Sequence, residues 1–135
     1  MKMKKLLYIL PLIAYLWGCA SSIDYVLVDY EKVNLNDGVS AEEALLIGQK
    51  RIYDRKLYNQ YVMDKPKLLT DFETLKSSDT DKYWFVAFTE TRDPQLDVYY
   101  LMLIQKTDGK IIFSRSYNPE SEWILEAFFL RQNQK

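Results

Sequence analysis

Three lysines (Lys2, Lys4, Lys5) precede an apolar run, Leu6–Trp17, that only Pro11 interrupts, and polar residues begin at Ser21. The run is 12 residues long, shorter than the about 20 that a membrane-spanning helix needs. A basic start, a short apolar stretch and a small residue, Gly18, describe a secretory signal peptide over residues 1–18. Ile23, Tyr25 and Leu27 then alternate with Asp24, Val26 and Val28, so Ile23–Val33 reads as an edge strand or extended arm. Asn34–Gly38 is a turn cluster. Ser40 and Glu43 have capping-box spacing and predict a helix from Ala41 to about Tyr58. Ala41, Ala44, Leu45, Gly48 and Ile52 share one side of it; Leu46, Tyr53 and Leu57 form a second apolar line, and Glu42, Lys50 and Asp54 face water. Glycine inside a helix costs about 1 kcal/mol relative to alanine, so Gly48 points to close contact with a sheet.

After a loop, Asn59–Pro66, the pattern changes to strands. Lys67–Thr74 is the least regular of them, and Ser77–Asp81 is a polar loop. In Tyr83–Glu90, residues Tyr83, Phe85, Ala87 and Thr89 take one face and Trp84, Val86, Phe88 and Glu90 the other. A turn at Arg92-Asp93-Pro94 leads to Asp97–Lys106, and the reversal at Thr107-Asp108-Gly109 returns the chain as Lys110–Tyr117. The three form an antiparallel meander whose nearly continuous apolar runs predict cover on both faces. Asn118-Pro119 then reads as an N-cap with proline in the first turn, and Glu120 and Glu122 suit a positive helix start. The predicted C-terminal helix buries Trp123, Ile124, Ala127, Phe128 and Leu130; a final strand, Trp123–Leu130, is the alternative. The expected fold is α+β: one long helix packed on an antiparallel β-meander sheet, with a short C-terminal helix. No internal repeat is present, and residues 23–135 read as a single domain.

Removing residues 1–18 leaves 117 of the 135 residues and takes three lysines with it, so 15 basic side chains face 19 acidic ones, a balance of −4. An acidic domain has no electrostatic reason to hold nucleic acid. The chain has no histidine and one cysteine, so the commonest general base, the commonest zinc ligand and any intrachain disulfide are excluded. Neither GxxxxGK[ST] nor GxGxxG occurs. Asp79-Thr80-Asp81 offers oxygens to calcium but lacks the further ligands and glycine of an EF-hand loop, and reads as a solvated loop. No cofactor or metal is expected. Eleven tyrosines, three tryptophans and six phenylalanines suit protein contacts as well as a β-rich core. Arg115 lies on the Ile111-Phe113-Tyr117 side of its strand and reads as an edge or surface position; if buried it needs an acidic partner, and the other reading is that it marks a ligand-facing groove.

Leu16-Trp17-Gly18-Cys19 resembles the lipobox of bacterial lipoproteins, with Trp17 where a smaller residue is usual. The resemblance implies that Cys19 is acylated (a palmitate-type modification), becomes the mature N-terminus and holds the domain on a membrane through a lipidated tether, residues 19–22. In Gram-negative lipoproteins an aspartate after the cysteine tends to mean retention at the inner membrane; Ala20 at that position implies the outer membrane, facing the periplasm. An ordinary buried thiol is the alternative for Cys19. The span Ser40–Tyr117, with its helix SAEEALLIGQKRIYDR, the strand YWFVAFTE and the Asp108-Gly109-Lys110 tip, resembles small cystatin-like and NTF2-like envelope domains, notably NTF2-fold immunity proteins and PepSY-type modules. That resemblance implies a curved sheet wrapped on a helix and a binding role, not a catalytic one. The expected function is a non-catalytic protein-binding lipoprotein, in its sharpest form an immunity protein against an envelope toxin, with Trp84, Tyr100, Arg115 and Trp123 as binding candidates. Two alternatives are a ligand carrier with rings such as Trp84, Phe85, Tyr100 and Trp123 lining a pocket between sheet and helix, and an envelope assembly accessory. A carboxylate-based hydrolase would need two acids facing each other in a cleft.

Overall fold

Four antiparallel strands lie in chain order across one sheet: β1 (Lys67–Leu69), β2 (Tyr83–Thr89), β3 (Tyr99–Gln105) and β4 (Ile111–Tyr117). They belong to a computed structural model that describes residues 23–72, 74–92 and 98–134. The predicted signal segment, Cys19 and its tether lie outside the described residues, as do Asp93, Pro94 and the start of the predicted Asp97–Lys106 strand. Among the described residues no helix is long and apolar enough to cross a membrane.

The alternation of the two central strands dictates the layering. Val86 pairs with Met102, and these side chains, with Phe88 and Ile104, fill one face and are fully buried. Phe85, Leu101 and Leu103 fill the other. Each apolar face needs a cover. Helix α1 (residues 23–30) and helix α2 (Ala41–Asp54) pack on the first. A single helical turn, α3 (Ser77–Thr80), stands where the polar loop was expected. Helix α4 (Trp123–Asn133) supplies the second cover through Leu125 and Phe129. The α+β fold and the short C-terminal helix are as the sequence predicts, and the final-strand alternative for Trp123–Leu130 is excluded.

The capping box forms as read. The Ser40 hydroxyl accepts from the Glu43 N–H at 3.2 Å, and Glu43 Oε1 accepts from the Ser40 N–H at 3.1 Å. Glu43 Oε2 also accepts from the Asn34 N–H at 2.7 Å, tying the preceding loop to the helix start. These backbone bonds, Asn34 first and then Ser40, hold the Glu43 carboxyl below its ordinary value. Gly48 lies against β2: a Cβ there would meet Val86 Cγ1 at 3.0 Å and the Phe88 ring at 3.2 Å. At the hairpin tip Gly109 has φ +75°, a left-handed backbone conformation that favours glycine.

Four expectations change. Residues 23–30 are helical, not extended. Tyr25, Val26, Asp29 and Tyr30 turn inward while Ile23, Leu27 and Val28 are exposed, a helical stripe that the apolar, β-branched composition concealed. Helix α2 ends at Asp54 and not near Tyr58. The Leu57 N–H bonds to the Ile52 carbonyl, the Lys56 N–H to that of Tyr53, and Lys56 has φ +56°; this is a Schellman stop built without glycine. The first strand keeps only Lys67–Leu69 of the predicted Lys67–Thr74. In β4, Leu103 faces Phe113 but Ile104 faces Ile111. That bulge sends Ile111 to the α2 side, away from Phe113 and Arg115.

Gly48→Val is expected to lower stability by about 1–3 kcal/mol through overpacking against Val86 and Phe88, although valine is the better helix former; urea unfolding measures it. Glu43→Gln tests the cap. A lowered carboxyl contributes stability that is present above its unfolded value, about 4.3, and is lost as pH falls through the folded value. The variant is expected to show a shallower loss of Tm than the parent below about pH 4.3.

Candidate functional site

The four binding candidates do not converge. Trp84 Nε1 donates to the Val39 carbonyl at 2.7 Å, and Lys106 Nζ stands 4.3 Å over the indole. With the Val39 N–H bonded to the Lys106 carbonyl at 2.8 Å, Trp84 pins the loop before α2 to the sheet. Tyr100 is 9 % exposed; its hydroxyl bonds to Ser114 Oγ at 2.7 Å and its ring lies 5.1 Å from that of Tyr61. Both are structural residues of the α2 side. Between them, Phe88, Met102 and Ile104 fill the space under α2.

Arg115 and Trp123 do meet, on the opposite face. With Phe113, Ile124, Ala127, Phe128 and Arg131 they line an open cleft of about 400 Å³ between β4 and α4. Phe113 and Arg115 reach it because strand alternation, restored after the bulge, points both toward α4. The Phe113 and Phe128 rings lie 5.4 Å apart at 70°, and Phe128 sits 5.4 Å from Phe129, whose own ring reaches the Phe85 core. The apolar floor is therefore anchored in packed aromatic residues.

Trp123 is 65 % exposed and Leu130 is exposed too, against the expectation that both join the buried stripe. The actual stripe is Leu125 and Phe129, four residues apart. Seven of the eight residues 123–130 are apolar, so periodicity does not choose the phase. The helix also starts later than Asn118-Pro119 suggests. The Asn118 side chain accepts from the Glu120 N–H at 3.0 Å, but it caps a 3₁₀ turn, Pro119–Ser121, and α4 follows it.

Arg115 is exposed. Among the described residues neither its guanidinium nor that of Arg131 has a hydrogen-bond or ion-pair partner. Arg131 occupies the last turn of α4, where the helix dipole favours a cation. Sequence reasoning missed Arg131, yet Trp123, Ala127 and Arg131 recur every fourth residue, the spacing of one helix face.

A second, smaller cleft of about 280 Å³ brings Asp71, Tyr99, Tyr117 and Glu122 together. Burial, followed by Tyr99, Glu122 and Glu126, pushes the Tyr117 hydroxyl far up, so it stays neutral. Asp71 is exposed, and Glu122 Oε2 accepts from the Thr74 hydroxyl. Neither acid is a buried carboxyl of the kind that acid catalysis selects. Asp79 Oδ1 accepts from Asn133 Nδ2 at 3.2 Å, and among the described residues no cluster of acids is arranged to hold a metal ion.

Trp123→Ala is expected to change stability by no more than about 0.5 kcal/mol, as for an exposed position, whereas Phe129→Ala is expected to cost about 3–5 kcal/mol; paired denaturant titrations separate the exposed rim from the buried stripe. Comparison with protein-family models, with characterised proteins and with solved structures returned no match, so the functional reading rests on the chain's own residues.

Proposed function

We propose that this chain is a lipid-anchored, periplasm-facing lipoprotein whose folded domain binds another protein without catalysis. The observation that carries the reading is the β4–α4 cleft, where an exposed tryptophan and two guanidiniums without a partner among the described residues border an aromatic floor. Tryptophan and arginine are the residues most enriched at energetic centres of protein interfaces. The lipobox-like Leu16-Trp17-Gly18-Cys19 supports the anchor. An immunity protein against an envelope toxin is the sharpest form of the proposal, and an assembly accessory the plainer one. The side chains filling the space between α2 and the sheet are why protein binding is preferred to carriage of a small ligand.

The anchor is tested by feeding cells an alkyne-tagged palmitate analogue. The full chain is expected to take up the tag and sediment with outer membranes, and Cys19→Ser to lose both properties. Retention of residues 1–18 with an unmodified thiol would overturn the anchor. Binding is tested separately, by placing a photo-crosslinking amino acid at exposed positions on every face of the domain in intact cells. A discrete protein adduct is expected from at least one face; no adduct from any face would overturn protein binding.

A further inference from the structure

We infer that the β4–α4 cleft receives an extended, acidic segment of the partner protein, added to the sheet as a strand alongside β4. The inference rests on the protein-binding reading above and names the partner's chemistry.

Main-chain geometry comes first. In the order β1-β2-β3-β4, the last strand has a neighbour on one side only among the described residues. It is seven residues long, whereas the opposite edge, β1, has three. A long edge leaves alternate N–H and C=O groups unpaired and is a template for an added strand. The cleft borders that edge and offers the side-chain pocket that gives strand addition its specificity. Its floor, Phe113 and Phe128, is held edge to face, and the Trp123 indole stands exposed at the rim. An apolar side chain of the added segment would lie there.

Charge then selects the segment. Acidic side chains outnumber basic ones in this chain, yet none of the described ones pairs with Arg115 or Arg131. Guanidiniums present a planar fork that suits carboxylates. Two of them at one apolar cleft select a segment with acids flanking its apolar residue.

Two other occupants fit less well. A membrane would have to reach the α4 side, but α1, the first described element after the anchor, packs on the α2 side. The four-residue step from Cys19 to Ile23 spans at most about 14 Å, so a lipid on Cys19 would lie near α1, on the face opposite the cleft. A second copy paired through β4 about a two-fold axis would present the same surface to itself and bring like guanidiniums together.

The test pans a phage library of random linear peptides on the full chain in mild detergent. Enriched peptides are expected to carry an excess of Asp and Glu around an aromatic or large aliphatic residue. Arg115→Glu with Arg131→Glu is expected to weaken such a peptide at least tenfold, and Arg115→Gln with Arg131→Gln to weaken it less. Lys106→Glu, on the far face, should leave affinity unchanged. Circular dichroism checks that each variant is folded, and bound peptide is expected to slow amide exchange within Ile112–Ser116. Failure to enrich peptides, enrichment without acidic bias, binding indifferent to both double variants, or unchanged β4 exchange overturns the inference. So does Arg-dependent sedimentation with phosphatidylglycerol vesicles, or an Arg-dependent dimer in analytical ultracentrifugation. Crosslinks to a protein from a different face would overturn this assignment while leaving protein binding standing; absence of adducts from every face would sink the binding reading itself.

Discussion

Two central strands that are apolar on both sides must be covered twice, and the rest of this domain follows from that constraint. A half-exposed meander needs one helix. Here Val86, Phe88, Met102 and Ile104 fill one face while Phe85, Leu101 and Leu103 fill the other, so two separate covers are required. Burying a large apolar side chain contributes about 1.5–3 kcal/mol, and exposing either face would forfeit several such terms at once. The devices around α2 serve this closure. Gly48 brings the helix backbone close to β2, Glu43 fixes the helix start to its loop, and Trp84 fastens that loop to the sheet through Val39.

The parts of the fold legible in the chain were those where one local signal points one way. YWFVAFTE has strand periodicity, Ser40 and Glu43 have a spacing that only a helix start explains, and Asp108-Gly109 reverses the chain with φ +75° at the glycine. The unreadable parts were those where apolar residues are too plentiful to have a phase. In residues 23–30 a strand pattern and a helical stripe share the same letters, and contact with α2 decides between them. In 123–130 nearly every position could face the sheet, and the 3₁₀ turn at Pro119–Ser121 sets where α4 begins. Lys56 in the left-handed region and the bulge opposite Ile104 leave no reliable letter behind. Of the candidate site, the sequence named Arg115 and Trp123 but grouped them with Trp84 and Tyr100, because it does not show which sheet face a side chain joins once a bulge intervenes.

The cleft arises where the second cover runs out. Helix α4 has 11 residues and buries only Leu125 and Phe129 fully. Beyond that stripe the sheet continues to β4, whose burial declines toward Arg115 and Ser116. The short helix therefore satisfies the middle strands and leaves the edge strand with an aromatic floor and no roof. The same geometry explains why the chain's missing chemistry matters little to the proposed role. A strand edge, a ring pocket and two cations would recognise a partner through shape and main-chain bonds, a role that calls for no histidine, thiol or metal.

The balance between floor and rim decides what each contributes. In the free protein Arg115 is solvated and keeps its hydration, so leaving it unpaired carries no desolvation penalty. Exposed ion pairs are worth about 0–1 kcal/mol, so two such contacts alone would not hold a complex. Burial of Trp123 against an incoming apolar side chain, together with main-chain bonds along β4, would supply most of the affinity. The arginines would instead raise encounter rates and reject basic segments, because like charge at a partly desolvated rim costs more than opposite charge gains. The open edge and apolar floor invite non-specific strand pairing, and under the proposal two cations beside the edge would repel a second copy of the same strand while admitting an acidic one.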